Sequence, residues 1–242
     1  MYLLFKALIA VHIVFGVVGL VSFWVPIFSR KGSPVHRRWG RIFALSILMA
    51  GGIAILLALC TLIDPLGTHP HLDDAVFVRG IFGVLMLHLG VLTVNLAWYG
   101  REVLQNKSDP AGNRRGINLY LQLLLALAAV ACVIEGFRIS QPLIVAASVI
   151  GFATVATNLM HMLNPAPPPK AWLREHVKGI VGAGISVYTA FIAFGAVRLM
   201  PEIALHPGLW AIPLAVGLAL ILYHYWKIGQ SGSRLANLAT GE

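Results

Sequence analysis

Residues 30–41 read Arg-Lys-Gly-Ser-Pro-Val-His-Arg-Arg-Trp-Gly-Arg. Five cations, Arg30, Lys31, Arg37, Arg38 and Arg41, surround His36 in the first polar break of an apolar N-terminal region. Upstream, residues 2–28 carry a single charge, Lys6. So basic a loop is retained on the cytoplasmic side of a bilayer. It therefore sets the orientation expected of every later segment.

Composition points the same way. Of 242 residues, 58% are hydrophobic and 11% are charged. A soluble domain carries about 25% charged residues, so this chain lacks the charge to coat a surface in water. Its solvent is the bilayer. The formal charge of +9 raises nucleic acid as a partner, but the basic residues are spread through connectors between apolar runs. Positive-inside placement and attraction to anionic lipid headgroups account for them, and no nucleic acid is expected. Cys60 and Cys132 lie in apolar runs and read as small hydrophobes. Residues 1–28 have no cleavage-site pattern and exceed a signal-peptide core in length, so they read as a retained span.

A span needs roughly 20 mostly apolar residues. Seven runs qualify: 2–28, 41–63, 76–99, 117–137, 141–163, 176–199 and 208–228. Charge tests their alternation. With the first basic loop inside, the inner segments hold fourteen of the eighteen Lys and Arg residues, while Arg79, Arg138 and Arg198 fall at outer ends. The expected architecture is one all-α domain over 1–242, a multi-pass helical bundle of the cell inner membrane. Its N-terminus lies outside and its C-terminus in the cytoplasm. Gly83 and Gly90, and Gly179, Ala183 and Ser186 after His176, give faces on which membrane helices approach closely.

The histidines are the candidate chemistry. His12 and His88 lie in the middle of apolar runs, each entered from the outer side. At 1.5 Å per residue, both sit roughly 15–18 Å deep. Imidazoles at one depth on two helices suit the axial positions of a haem b iron, a transition metal, or a shared proton. The plainer reading is that each ring hydrogen-bonds a neighbouring helix. A second group, His36, His161, His176 and His224, lies near the inner face. Thr154, Asn158 and His161 share one face of the fifth run, and Asn118 and Gln122 lie one turn apart in the fourth. Tyr223, Tyr225 and Trp226 around His224 fit an interfacial aromatic belt. His69 and His71 read as solvated loop residues.

Two segments carry a resemblance: Lys31-Gly32 with His36-Arg37 and Gly40-Arg41, and Trp172 with Glu175-His176, Gly179 and Thr189-Ala-Phe191. They resemble an uncharacterised family of bacterial multi-pass membrane proteins that share a domain of unknown function. The resemblance spans most of the chain and implies no reaction. It does imply that His36 and His176 are motif residues of one inner-face site. In architecture alone, the chain is similar to b561-type cytochromes and ferric reductases, which place paired histidines at two membrane levels. Their helix-by-helix histidine spacing is not matched here.

Three functions follow as expectations. The first is electron transfer through one or two b-type haems. His12 and His88 hold the deeper one, and two of His36, His161, His176 and His224 hold the inner one. A quinol or a separate redox protein is the partner. Without CxxCH the haem is noncovalent, and without a dinucleotide fingerprint any NADH or flavin domain is a separate chain. The second is a Zn- or Fe-dependent enzyme acting on a lipid. His36, His161, His176 and His224 hold the metal, and Arg37, Arg38 and Arg41 bind the headgroup phosphate. The third is a transporter or non-catalytic protein, although no inverted repeat stands out.

Overall fold

The computed structural model describes residues 2–192 and 207–240. Among them the chain is helical, with no strand. The long helices are Tyr2–Phe28 (α1), Pro34–Ile63 (α2), Ala75–Gln105 (α3), Ile117–Arg138 (α4), Pro142–Leu163 (α5), Ala171–Ala190 (α6) and Pro207–Thr240 (α7). All except α6 are long and apolar enough to cross a membrane, which makes the protein an all-α polytopic membrane bundle. Helix α6 has Arg174, Glu175 and Lys178 in its first turns. The sixth expected span, 176–199, continues past residue 192, outside the described residues.

The basic stretch is not the loop that its charge suggests. Residues 34–41 form the first two turns of α2. Ser33 caps the helix by accepting from the His36 N–H at 3.2 Å, and Pro34 occupies the first turn, where a missing N–H costs nothing. The true turn is residues 29–33, with Gly32 at φ +75°. It is closed by Lys31, whose Nζ donates to the Pro26 and Ile27 carbonyls, both at 2.7 Å. Those are orphan acceptors at the C-terminus of α1.

Helix α3 is the hub. It packs on α2, α4, α5 and α6. Of its most apolar window 56% is buried, against 44% or less in the other spanning helices. Its first part is a wide π-helical segment, Arg79–Leu85. Glycines set two of its contacts. Gly90 meets Gly51 of α2, and Gly100 meets Gly179 of α6. A Cβ on Gly179 would stand 2.6 Å from the Gly100 Cα. Phe23, Phe43, Ile47, Leu85, Leu125 and Ile144 fill the core between these contacts.

Basic segments that are far apart in sequence gather at one end of the bundle. Arg114 bonds the Met162 and Asn164 carbonyls at 2.6 and 3.2 Å. Arg174 lies over the Tyr225 ring, and His176 lies within electrostatic reach of His36 and Lys31. The opposite end carries the acidic connectors. There Arg138 holds the nearly buried Glu135 through two bonds of 2.7 and 2.6 Å. His69 belongs to that end and is packed rather than solvated. Its ring packs edge-on to Phe5 of α1 and tilted against Phe82 of α3, with centroids 5.5 and 4.5 Å away.

The glycine contact gives a direct test. Gly179→Ala inserts a methyl group against backbone and is expected to cost about 1–3 kcal/mol, the usual range for overpacking. Gly16→Ala meets nothing within 4 Å and is expected to be neutral. Thermal unfolding of the two variants in one detergent checks the difference.

Candidate functional site

In hydrocarbon every polar group needs a partner inside the protein. Four imidazoles meet that need in the same way. His12 of α1 donates Nδ1–H to the Ala50 carbonyl of α2 at 3.0 Å. His36 of α2 donates Nδ1–H to Pro26 of α1 at 3.1 Å. His88 of α3 donates Nε2–H to Ala147 of α5 at 3.2 Å. His176 of α6 donates Nδ1–H to Gly100 of α3 at 2.7 Å. A helix carbonyl keeps a second lone pair after its own backbone bond, so each tie leaves the accepting helix intact.

This geometry directs the two deep rings at different helices. The His88 ring sits in a notch left by Gly151 of α5, where a Cβ would come within 2.4 Å of Cε1. Gly90, two residues on and therefore on the opposite face of α3, packs on Gly51 and Ile55 of α2. His12 reaches α2 from the α1 side. The backbones of α2 and α3 thus lie between the two rings. His12 and His88 share a depth, but they do not share a site.

The inner group divides as well. His36, His176 and His224, from α2, α6 and α7, lie within electrostatic reach of Lys31, and His36 of both His176 and His224; Lys227 lies within reach of His224. Each of these histidines is half-buried. Burial first, and then the Lys227 charge, lower the Lys31 pKa from its ordinary value. His161 is elsewhere, within reach of Glu175 and Lys178. The reason is helical geometry. Glu175 and His176 are consecutive, so they point about 100° apart around α6. Among the described residues no three His, Cys, Asp or Glu side chains converge as metal ligands. The four-histidine metal site is therefore not assembled. Arg37, Arg38 and Arg41 are exposed on the first turns of α2, and Arg41 Nε donates to the Arg37 carbonyl at 3.3 Å.

On the Glu175 side, the carboxylate pairs with Lys178 at 2.5 Å, with only 14% and 17% of the two side chains exposed. Tyr99 of α3 faces the same carboxylate. Beyond it, the amides expected on α4 and α5 do meet. Asn158 Nδ2 donates to Gln122 Oε1 at 3.3 Å. It also donates to Asn95 Oδ1 of α3 at 3.1 Å. Asn95 was missed by the sequence reading. Its signal is the spacing, because it lies seven residues after His88, on the same helical face.

Comparison with protein-family models, curated proteins and solved structures finds no match to this chain.

The Glu175–Lys178 pair yields a second test. Removing one partner of a buried ion pair leaves an uncompensated charge and costs about 3–5 kcal/mol, whereas replacing both can be neutral. Glu175→Gln is expected to melt well below the parent protein. Glu175→Gln combined with Lys178→Met is expected to recover much of that loss. Thermal unfolding of the single and double variants decides the point.

Proposed function

We propose that this chain is a membrane electron-transfer protein that holds one noncovalent b-type haem at its basic end, where His36 and His176 would hold the iron. One observation carries the reading. Both rings give Nδ1–H to main-chain carbonyls, which fixes the tautomer that leaves each Nε2 as a lone pair. Iron- and zinc-bound imidazoles are oriented by this kind of outer bond. The two residues come from different helices and lie within electrostatic reach of each other. Lys31 and Lys227 beside them suit the two haem propionates. When bound, haem supplies one-electron transfer at a potential tuned by its axial ligands and surroundings. The protein's own part is to hold both rings in one tautomer and to keep the cations at the membrane edge.

A quinol is the partner that the surroundings favour. An apolar crevice of about 520 Å³ runs between α1, α6 and α7. Phe23, Trp24 and Tyr188 line it, with Gly184 packed against Phe23 and Gly217 against Ile185. Leu220, on its wall, is one turn from His224. The lipid-enzyme reading has less support, because three metal ligands do not converge among the described residues.

Absorbance of the protein purified from haem-supplemented cells tests the proposal. A Soret band that shifts on dithionite reduction is expected, with one haem per chain. His36→Ala and His176→Ala are each expected to abolish it, and His12→Ala and His88→Ala to leave it unchanged. A colourless parent protein, or a Soret band that survives both His36→Ala and His176→Ala, overturns the reading.

A further inference from the structure

Three helices meet along faces with a three- and four-residue rhythm, and the faces stack in layers. His88, Leu92 and Asn95 follow one another on α3. Ala129, Leu125 and Gln122 do so on α4, and Gly151, Thr154 and Asn158 on α5. Gly151 carries the His88 ring and touches Ala129, which fixes the top layer. The bonds from Asn158 to Asn95 and Gln122 fix the amide layer. Between them, one turn from each, lie Leu92, Leu125 and Thr154.

The amides continue from that layer to the basic end. Gln122 Nε2 donates to the Asn118 carbonyl at 3.3 Å. Asn118 Nδ2 donates to the Asn113 carbonyl at 3.2 Å. Asn106 Nδ2 donates to Asn113 Oδ1 at 2.9 Å. Asn106 and Asn113, with His161 and Trp172, line an open cleft of about 510 Å³. The result is a run of amides, linked in part through main-chain carbonyls, from a polar cleft to a buried layer about one and a half turns inside α4 and α5.

Helix glue alone does not account for these side chains. Amides placed only to hold helices together close on one another, because each unpaired buried polar atom costs about 1–3 kcal/mol. Here Asn95 Nδ2, Asn158 Oδ1 and Asn118 Oδ1 have no partner within the protein, and the three residues are 0–2% exposed. His88 Nδ1, at the top of the same column, is also unpartnered, in a residue 0% exposed. These four atoms belong to the packed faces of α3, α4 and α5 and include both a donor and acceptors. A group that both donates and accepts satisfies all of them, and water is the smallest such group.

We propose that this column binds a file of water entering from the basic-end cleft, with the Asn95, Gln122 and Asn158 amides as its inner station. Leu92 and Leu125 form a one-layer apolar constriction above that station, and the Thr154 side leads past it to His88. The inference does not depend on the haem proposal, since it uses neither His36 nor His176.

Cysteine accessibility in liposomes tests it on the full-length chain. In a Cys60→Ala, Cys132→Ala background, Gln122→Cys and Asn158→Cys are expected to react with a small water-soluble thiosulfonate about tenfold faster than Ile47→Cys. Ile47 is 0% exposed, in the core beside α1. Asn113→Trp at the mouth is expected to slow the two column positions and leave Ile47→Cys unchanged. The unsubstituted protein supplies a second measurement. The side-chain amide signals of Gln122 and Asn158 are expected to vanish in D2O while main-chain amides of α3 persist. Column cysteines no faster than Ile47→Cys, or side-chain amides that outlast the α3 backbone, overturn the proposal.

Discussion

An imidazole N–H given to a main-chain carbonyl of the neighbouring helix is the interaction on which this bundle depends. Apolar side chains alone do not hold membrane helices together, because lipid tails satisfy them equally well. A hydrogen bond between helices does, provided the backbones come close enough. The ties and the glycines are therefore one device. Gly100 accepts from His176 and also touches Gly179, three residues further along α6. Gly151 clears the space that lets His88 reach Ala147 on the same helix, one turn away. Filling the notch removes the room for the ring, and removing the ring leaves a notch with nothing to fill it.

Each tie uses one nitrogen of the ring, and the position of the ring decides what becomes of the other. His12 is half-exposed on an outer helix. The free nitrogen of His88 is buried among α3, α4 and α5. At the basic end, rings from three helices lie within electrostatic reach of shared cations. Four chemically identical side chains in similar ties thus have very different prospects for binding a ligand. The difference comes from what surrounds the second nitrogen.

This explains what could be read in advance and what could not. Composition and the spacing of apolar runs were enough for the class of fold, because length and hydropathy alone decide whether a helix can span. The gathering of Arg114, Arg174, Lys31 and Lys227 at one end followed from charge alternation. Depth was also legible, since it is a count of residues. Direction was not. His12 and His88 matched in depth, yet α2 and α3 stand between them, and only the packing of Gly90 on Gly51 reveals it. The split between His161 and His176 has the same origin, one residue step around α6. Helix α2 starts before its apolar run because Ser33-Pro34 caps a helix whatever charges follow it.

Consecutive residues of α3 complete the argument. Tyr99 faces Glu175 and packs with Met162, whereas Gly100 faces His176. The pair Glu175-His176 makes the same division on α6. One edge of the α3–α6 contact therefore belongs to the histidine end and the other to the amide column. At the Gly100–Gly179 crossing the backbones already touch, so α6 cannot tilt toward α3 without collision. A tilt away lengthens the 2.7 Å tie of His176. It also draws Glu175 away from Tyr99. A tilt of α6 away from α3 would therefore act on the His176 tie and on the Glu175–Tyr99 contact together.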